Sequence, residues 1–179
     1  MASLMERAIG AAKLDPAIYE EVEHDPSAMG QAVTVVVVVA LAAGIGAATN
    51  GIGAIVLGVV LSLVGWCLWA AITWIVGTRL FGTPQTEADF GQLFRTLGFA
   101  ASPGVLQIFG IIPVIGMVVG FAAAIWQLAT MVVAVRQALD YDSTGRAIAV
   151  CLVGFIVYMA LIIVVGTMIG SGVPAGPMR

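Results

Sequence analysis

Residues Thr86 to Gly104 read TEADFGQLFRTLGFAASPG, a polar helix start that runs into an apolar segment broken by proline. Thr86 with Asp89 three residues on fits a capping box, in which side chains satisfy the free amides of a helix N-terminus. Phe90, Leu93, Phe94 and Leu97 then recur at i, i+3, i+4 and i+7, while Gln92 and Arg95 fall on other faces. That pattern predicts a helix lying in the membrane interface. Pro103-Gly104 interrupts the apolar segment beyond it, because proline lacks the amide hydrogen a helix needs and crowds the preceding turn.

On either side the chain is too apolar for a soluble domain. Its 179 residues are 61% hydrophobic and only 9% charged, with a mean hydropathy of +1.09, far from soluble usage. Charged residues are absent from 26–78, 96–135 and 147–178. A crossing helix takes about 20 apolar residues. The runs therefore predict an all-α polytopic membrane protein with five spans, at about 29–48, 54–80, 97–112, 114–137 and 147–169. The third is short and expected to be kinked: about 16 residues give about 24 Å against a hydrocarbon core of about 30 Å. It either crosses fully or forms a hairpin with the fourth around Pro113. Val33 and Val35 to Val39 would favour a strand in water, but a lone strand in lipid leaves its amides unpaired, so helix is expected. Asn50, Gly51 and Gly53 make the turn between spans 1 and 2.

Ahead of the membrane domain, 26–170, lies a segment 1–25; a short tail, 171–179, comes after it. The first segment is too polar and acidic for a signal peptide. Leu4, Met5, Ala8, Ile9 and Ala12 recur at helical spacing there, which reads either as a short amphipathic helix along the membrane surface or as a partly ordered tail, and Asp15-Pro16 and Asp25-Pro26 read as helix starts. Pairing the spans as two, two and one gathers Arg7, Lys13, Arg79, Arg95, Arg136 and Arg146 on one side and leaves only Arg179 opposite. The positive-inside rule makes that side cytoplasmic and the C-terminus non-cytoplasmic. All ten acidic residues share the cytoplasmic side, which disfavours nucleic acid as a partner and anionic lipid by simple attraction.

Small residues four apart, Ala54-Gly58-Ser62, Gly116-Gly120 and Gly166-Gly170, permit close helix approach and are read as packing faces within one bundle. Chemistry-bearing constellations are thin. Glu21-Val22-Glu23-His24 contains the chain's one histidine and reads as a solvated acidic turn rather than half of a di-iron site. Cys67 and Cys151 fall within spans and read as small buried apolar residues. No catalytic, metal-binding or cofactor-binding residues are expected, and the protein is not read as an enzyme. Gln107 and Gln127 within the spans read as interhelical links, Trp66, Trp69 and Thr73 as one packing face of span 2, and Trp74 as an interface anchor. Arg136 is expected to reach headgroups or to pair with Asp140 or Asp142.

Thr96, Gly98, Phe99, Ala100 and Pro103 resemble the motif T-x-G-(Tyr/Phe)-(Ser/Ala)-x-x-P of the Yip (Ypt/Rab-interacting protein) domain family. The five-span layout, the acidic segment YEEVEHDPSA before the membrane and the linker AVRQALDYDSTGRAI are similar to bacterial members of that family. The resemblance implies a helical protein of the bacterial inner membrane. Eukaryotic relatives are linked to Rab-type GTPases, but the motif D-L-Y-G-P before the first span is missing. Asp15-Pro16-Ala17-Ile18-Tyr19 does not fit it, so GTPase binding is not carried over. The expected function is a non-enzymatic scaffold, adaptor or bilayer-shaping protein. Its partners would be the bilayer and a membrane protein or second copy, met through α-helical surfaces at Phe90 to Leu97 and through the linker charges Arg95, Arg136, Asp140, Asp142 and Arg146. The rival reading is a small-solute carrier or channel, in which the broken third span and Gln107 would form the path.

Overall fold

A computed structural model describes residues 2–46, 52–84, 86 and 89–171. The expected turn at Asn50 and Gly51 lies outside them, as does the tail from 172 onward. In chain order the helices are α1 (Leu4–Ala12), α2 (Pro16–His24), α3 (Met29–Gly46), α4 (Ile52–Ile75), α5 (Phe90–Ala100), α6 (Pro113–Ala138) and α7 (Thr144–Ser171). A 3₁₀ turn, Pro26–Ala28, leads into α3, a π-helical turn, Val76–Leu80, ends α4, and a 3₁₀ helix, Ser102–Ile111, joins α5 to α6. Asp15 and Asp25 each cap the turn begun by the following proline, accepting from the amides of Ala17 and Ser27. α5 starts later than the sequence predicts. Its capping box is Asp89 with Gln92, whereas the Thr86 hydroxyl holds the preceding loop, accepting from the Thr83 amide and donating to the Leu139 carbonyl.

Four helical stretches are long and apolar enough to cross a membrane: Pro26–Gly46, Ile55–Leu80, Val114–Ala138 and Thr144–Met168. Where the third of the five spans is expected, at 97–112, stand the end of α5 and the ten-residue apolar 3₁₀ helix Ser102–Ile111. Three glycines fix where it runs. A Cβ on Gly98 would strike Ala32, one on Gly104 would strike Val39, and Gly46 lies against the backbone of Gln107 and Gly110. Gly98 to Gly110 thus tracks α3 from Ala32 to Gly46 with fewer residues than its neighbour. The wider rise of 3₁₀ winding, about 2.0 Å per residue against 1.5 Å, makes up the difference. The winding follows from Pro103. Without a proline amide the α-pattern lapses, and the Gly104 amide turns to the Ala101 carbonyl in a 3₁₀ bond.

The core is concentrated at one end, where Tyr19, Val22, Leu93, Leu97, Phe99, Val135, Leu139 and Val150 are buried together. All the described charged residues belong to elements at this end, termed the polar end. Elsewhere α4, α6 and α7 present large apolar side chains outward, among them Val56, Val60, Phe121, Ile125 and Ile156, as a bilayer requires. Cys151 is buried but Cys67 is exposed, so only the first packs as expected; Cys67 belongs to the outer face of α4. The small-residue faces also divide. Gly116 is pressed on the Phe109 and Gly110 backbone, but Gly58, Gly120 and Gly166 face open space and are not packing surfaces within this bundle.

Candidate functional site

α5 is the element on which the polar end is assembled. Leu93 and Leu97 are fully buried, Phe90 is 39% exposed, and Phe94 packs its ring on Trp66 at 3.9 Å and on Phe90 at 5.3 Å. The apolar face that periodicity assigns to the membrane interface is thus largely turned onto protein, against α2, α3, α4 and α6. Trp74 meets Phe90 edge-on at 6.1 Å, and Trp69 meets Tyr158 of α7 at 6.0 Å.

The motif residues form the knot of this packing. Thr96 is buried and its hydroxyl donates back to the Leu93 and Gln92 carbonyls. Gly98 lets α5 touch α3, since a Cβ would lie 2.9 Å from that of Ala32. Phe99, Ala100 and Pro103 are buried. The Ala100 carbonyl, left free when the Gly104 amide shifts to Ala101, accepts from the Thr130 hydroxyl of α6 at 2.6 Å. Ser102 beside it donates to the Ala8 carbonyl of α1 at 3.1 Å.

Two arginines hold the N-terminal helices onto this knot. The Arg7 guanidinium is 1% exposed. It donates to Glu21 at 2.7 Å, to Asp25 at 2.6 Å and to Gln31 of α3 at 3.1 Å. Arg95, which helical spacing sets apart from the apolar stripe, is also buried. It donates to the Val22 and Glu23 carbonyls at the C-terminus of α2, the first of which also accepts from the Asp25 amide. The Tyr19 hydroxyl closes the hairpin by donating to the Ala11 carbonyl at 2.9 Å, and the Trp126 indole donates to the Ala12 carbonyl at 2.6 Å. Sequence reasoning missed Arg7 and Arg95 as structural residues, because their partners are 14 to 73 positions away.

Beside α2, the turn between α6 and α7 forms an open polar cavity of about 460 Å³ lined by Glu20, Arg136, Gln137, Asp140, Tyr141 and Asp142. Asp140 sits in the left-handed region, φ 51°, a conformation that aspartate tolerates better than most residues. Arg136 pairs with neither aspartate. Its guanidinium donates to the Tyr141 carbonyl and the Thr144 hydroxyl, each at 3.2 Å, because the turn points its own acceptors at the helix end. Arg146 lies over the Tyr141 ring at 5.6 Å, and the Tyr141 hydroxyl donates to the Gly77 carbonyl at 2.8 Å.

Glu23 lies at the back of this region, 3% exposed, with Oε2 unpartnered. Burial first, then the negative charges of Asp140 and Glu20, raise its carboxyl to about 7. Asp25 goes the other way, to about 2, through the Ser27 hydroxyl and then Arg7. Glu21 is engaged by Arg7 and His24 by the Glu20 carbonyl, so the Glu21-to-His24 set does not converge. Among the described residues no three of His, Cys, Asp and Glu are grouped as a metal ion would require.

A bundle of membrane-length helices, closed at one end by an arginine-stapled polar cap, is the class these features define. The family model described as the Yip1 domain matches residues 14–165. The chain belongs to the Yip1 domain family. No curated protein and no solved structure matches it.

Proposed function

We propose that the protein is a non-enzymatic adaptor of a bacterial-type plasma membrane, which docks a basic segment of a partner protein at its polar end. In this reading the polar end is cytoplasmic, since six of the seven Lys and Arg residues belong to it. The 3₁₀ helix Ser102–Ile111 is then the third of five crossings, unwound to reach. One observation carries the reading. Glu20, Asp140 and Asp142 surround the 460 Å³ cavity with three carboxylates against one arginine, Arg136, whose Nε and Nη1 are turned to Tyr141 and Thr144. That field reaches the Glu23 carboxyl behind them, which Asp140 and Glu20 help to raise. Such a pocket accepts a lysine or arginine side chain, and its stapled walls lower the ordering cost of binding. Bilayer shaping is less favoured than docking, because α5 spends most of its apolar face inside the bundle.

A photo-crosslinking amino acid at Gln137 in native membranes tests this. The expected result is capture of a defined protein, lost in the combined Glu20→Gln, Asp140→Asn, Asp142→Asn variant at unchanged expression. Equal capture by the neutral variant, or capture of nothing above background, overturns it.

A further inference from the structure

The geometry points to a second site, inside the bundle: we propose that a cavity between α3, α4, α6, α7 and the 3₁₀ helix binds an uncharged lipid carrying carbonyl oxygens. The cavity holds about 450 Å³ and no charged residue lines it, a size and polarity typical of small-molecule sites. Its polar groups are neutral: Ser62, Trp66, Trp69, Gln107, Gln127 and Tyr158. They are also underused. The Trp66 and Trp69 indole N–H groups are buried without a partner, Trp69 being only 9% exposed. Gln107 Nε2 and Gln127 Oε1 each stand 3.3 Å from where a Cβ on Gly104 would be. Neither side-chain amide has a hydrogen-bond partner among the described residues. The interhelical link expected of these glutamines is absent there, and the glycine between them leaves the room open.

Lining and opening choose the ligand. Gln127 adjoins Trp126, whose indole reaches Ala12 of α1, so the cavity lies just inside the polar cap. Unmet polar groups facing lipid are costly there. The rim residues Leu61, Leu128 and Phe155 are 59%, 54% and 51% exposed and face lipid, so entry is from the bilayer. A lining without charge offers a phospholipid headgroup no partner, whereas an uncharged lipid can enter whole. Its carbonyls would accept from the glutamine amide N–H groups while its hydrocarbon packs on Val36, Val39, Met131 and the tryptophan rings. Diacylglycerols and isoprenoid quinones share this chemistry.

The full-length protein in phosphatidylcholine nanodiscs is titrated separately with dioctanoylglycerol and a short-chain benzoquinone, reading tryptophan fluorescence and the thermal midpoint. We expect one of the two to saturate and to raise the midpoint, which also assigns the source. In the Gln107→Leu/Gln127→Leu variant the apparent Kd rises tenfold or more. Ala43→Phe, which fills the cavity from α3, abolishes saturation while the midpoint without lipid stays within a few degrees; it carries the test if the double variant fails to fold. Saturation by neither lipid, or equal saturation with Ala43→Phe, overturns the assignment.

Discussion

Glu23 and Asp25 lie two residues apart, and their surroundings push their carboxyls in opposite directions. Glu23, raised from 4.5 to about 7, favours the protonated form when folded. Its contribution is full below about 4.5 and is lost as pH rises through about 7. Asp25, lowered from 3.8 to about 2, contributes above 3.8 and loses that contribution as pH falls through about 2. Mild acidification from pH 7.5 to 5 should therefore tighten the seat of α2. Glu23→Gln should bring the thermal midpoint at pH 7.5 up toward its value at pH 5 and flatten the profile between. His24, raised chiefly by the Glu20 carbonyl, acts with the same sign, so the measurement is repeated in His24→Asn. A profile in that background as steep with Glu23→Gln as without it would assign the effect to other groups.

At the scale of elements, the 3₁₀ helix is held where glycines allow backbone to meet backbone. Gly116→Ala places a methyl 2.6 Å from the Gly110 Cα and the Phe109 carbonyl oxygen, neither of which can rotate away. Overpacking of that kind costs about 1–3 kcal/mol, so the thermal midpoint should fall by several degrees, and Gly46→Ala should match it. Gly120→Ala meets nothing within 4 Å. It should leave the midpoint unchanged or raise it, as removal of a mid-helix glycine does by up to about 1 kcal/mol. If all three variants melt alike, the 3₁₀ helix does not lie in the α3–α6 groove. Periodicity could not separate these glycines, because small residues four apart look the same whether they face protein or lipid.

Taken whole, the molecule is a bundle to which α1 and α2 are fastened by two arginines rather than by apolar area alone. Arg7→Met keeps the stem of the side chain but leaves Glu21, Asp25 and Gln31 without their shared donor. Charge-assisted bonds contribute roughly 1.5–3 kcal/mol. Amide exchange across Leu4–Ala12 should therefore quicken about tenfold or more, while α3 exchanges as before. Unchanged exchange in α1 would mean that Ala8, Ala11 and the Trp126 bond suffice to dock it. The same fastening keeps the walls of the acidic cavity in place, so Arg7→Met should weaken partner capture without altering its specificity.

Hydropathy by itself determined that the chain is helical and membrane-embedded. The charge-free runs, read as five spans, contain the four long helices, since a lipid-facing surface leaves no other way to satisfy the backbone. The Thr96-to-Pro103 motif pointed to the family, and Pro103 marked where regular winding stops. Only the tertiary structure decided that α5 faces inward and that a 3₁₀ rise lets a ten-residue helix run beside α3. It also decided that Arg7 and Arg95 are consumed as staples and that Gln107 and Gln127 flank a cavity instead of each other. The physical reason is common to these: burial of a side chain and the partner of a polar group depend on contacts across tens of residues. Local periodicity records only which face a residue occupies, not what meets that face.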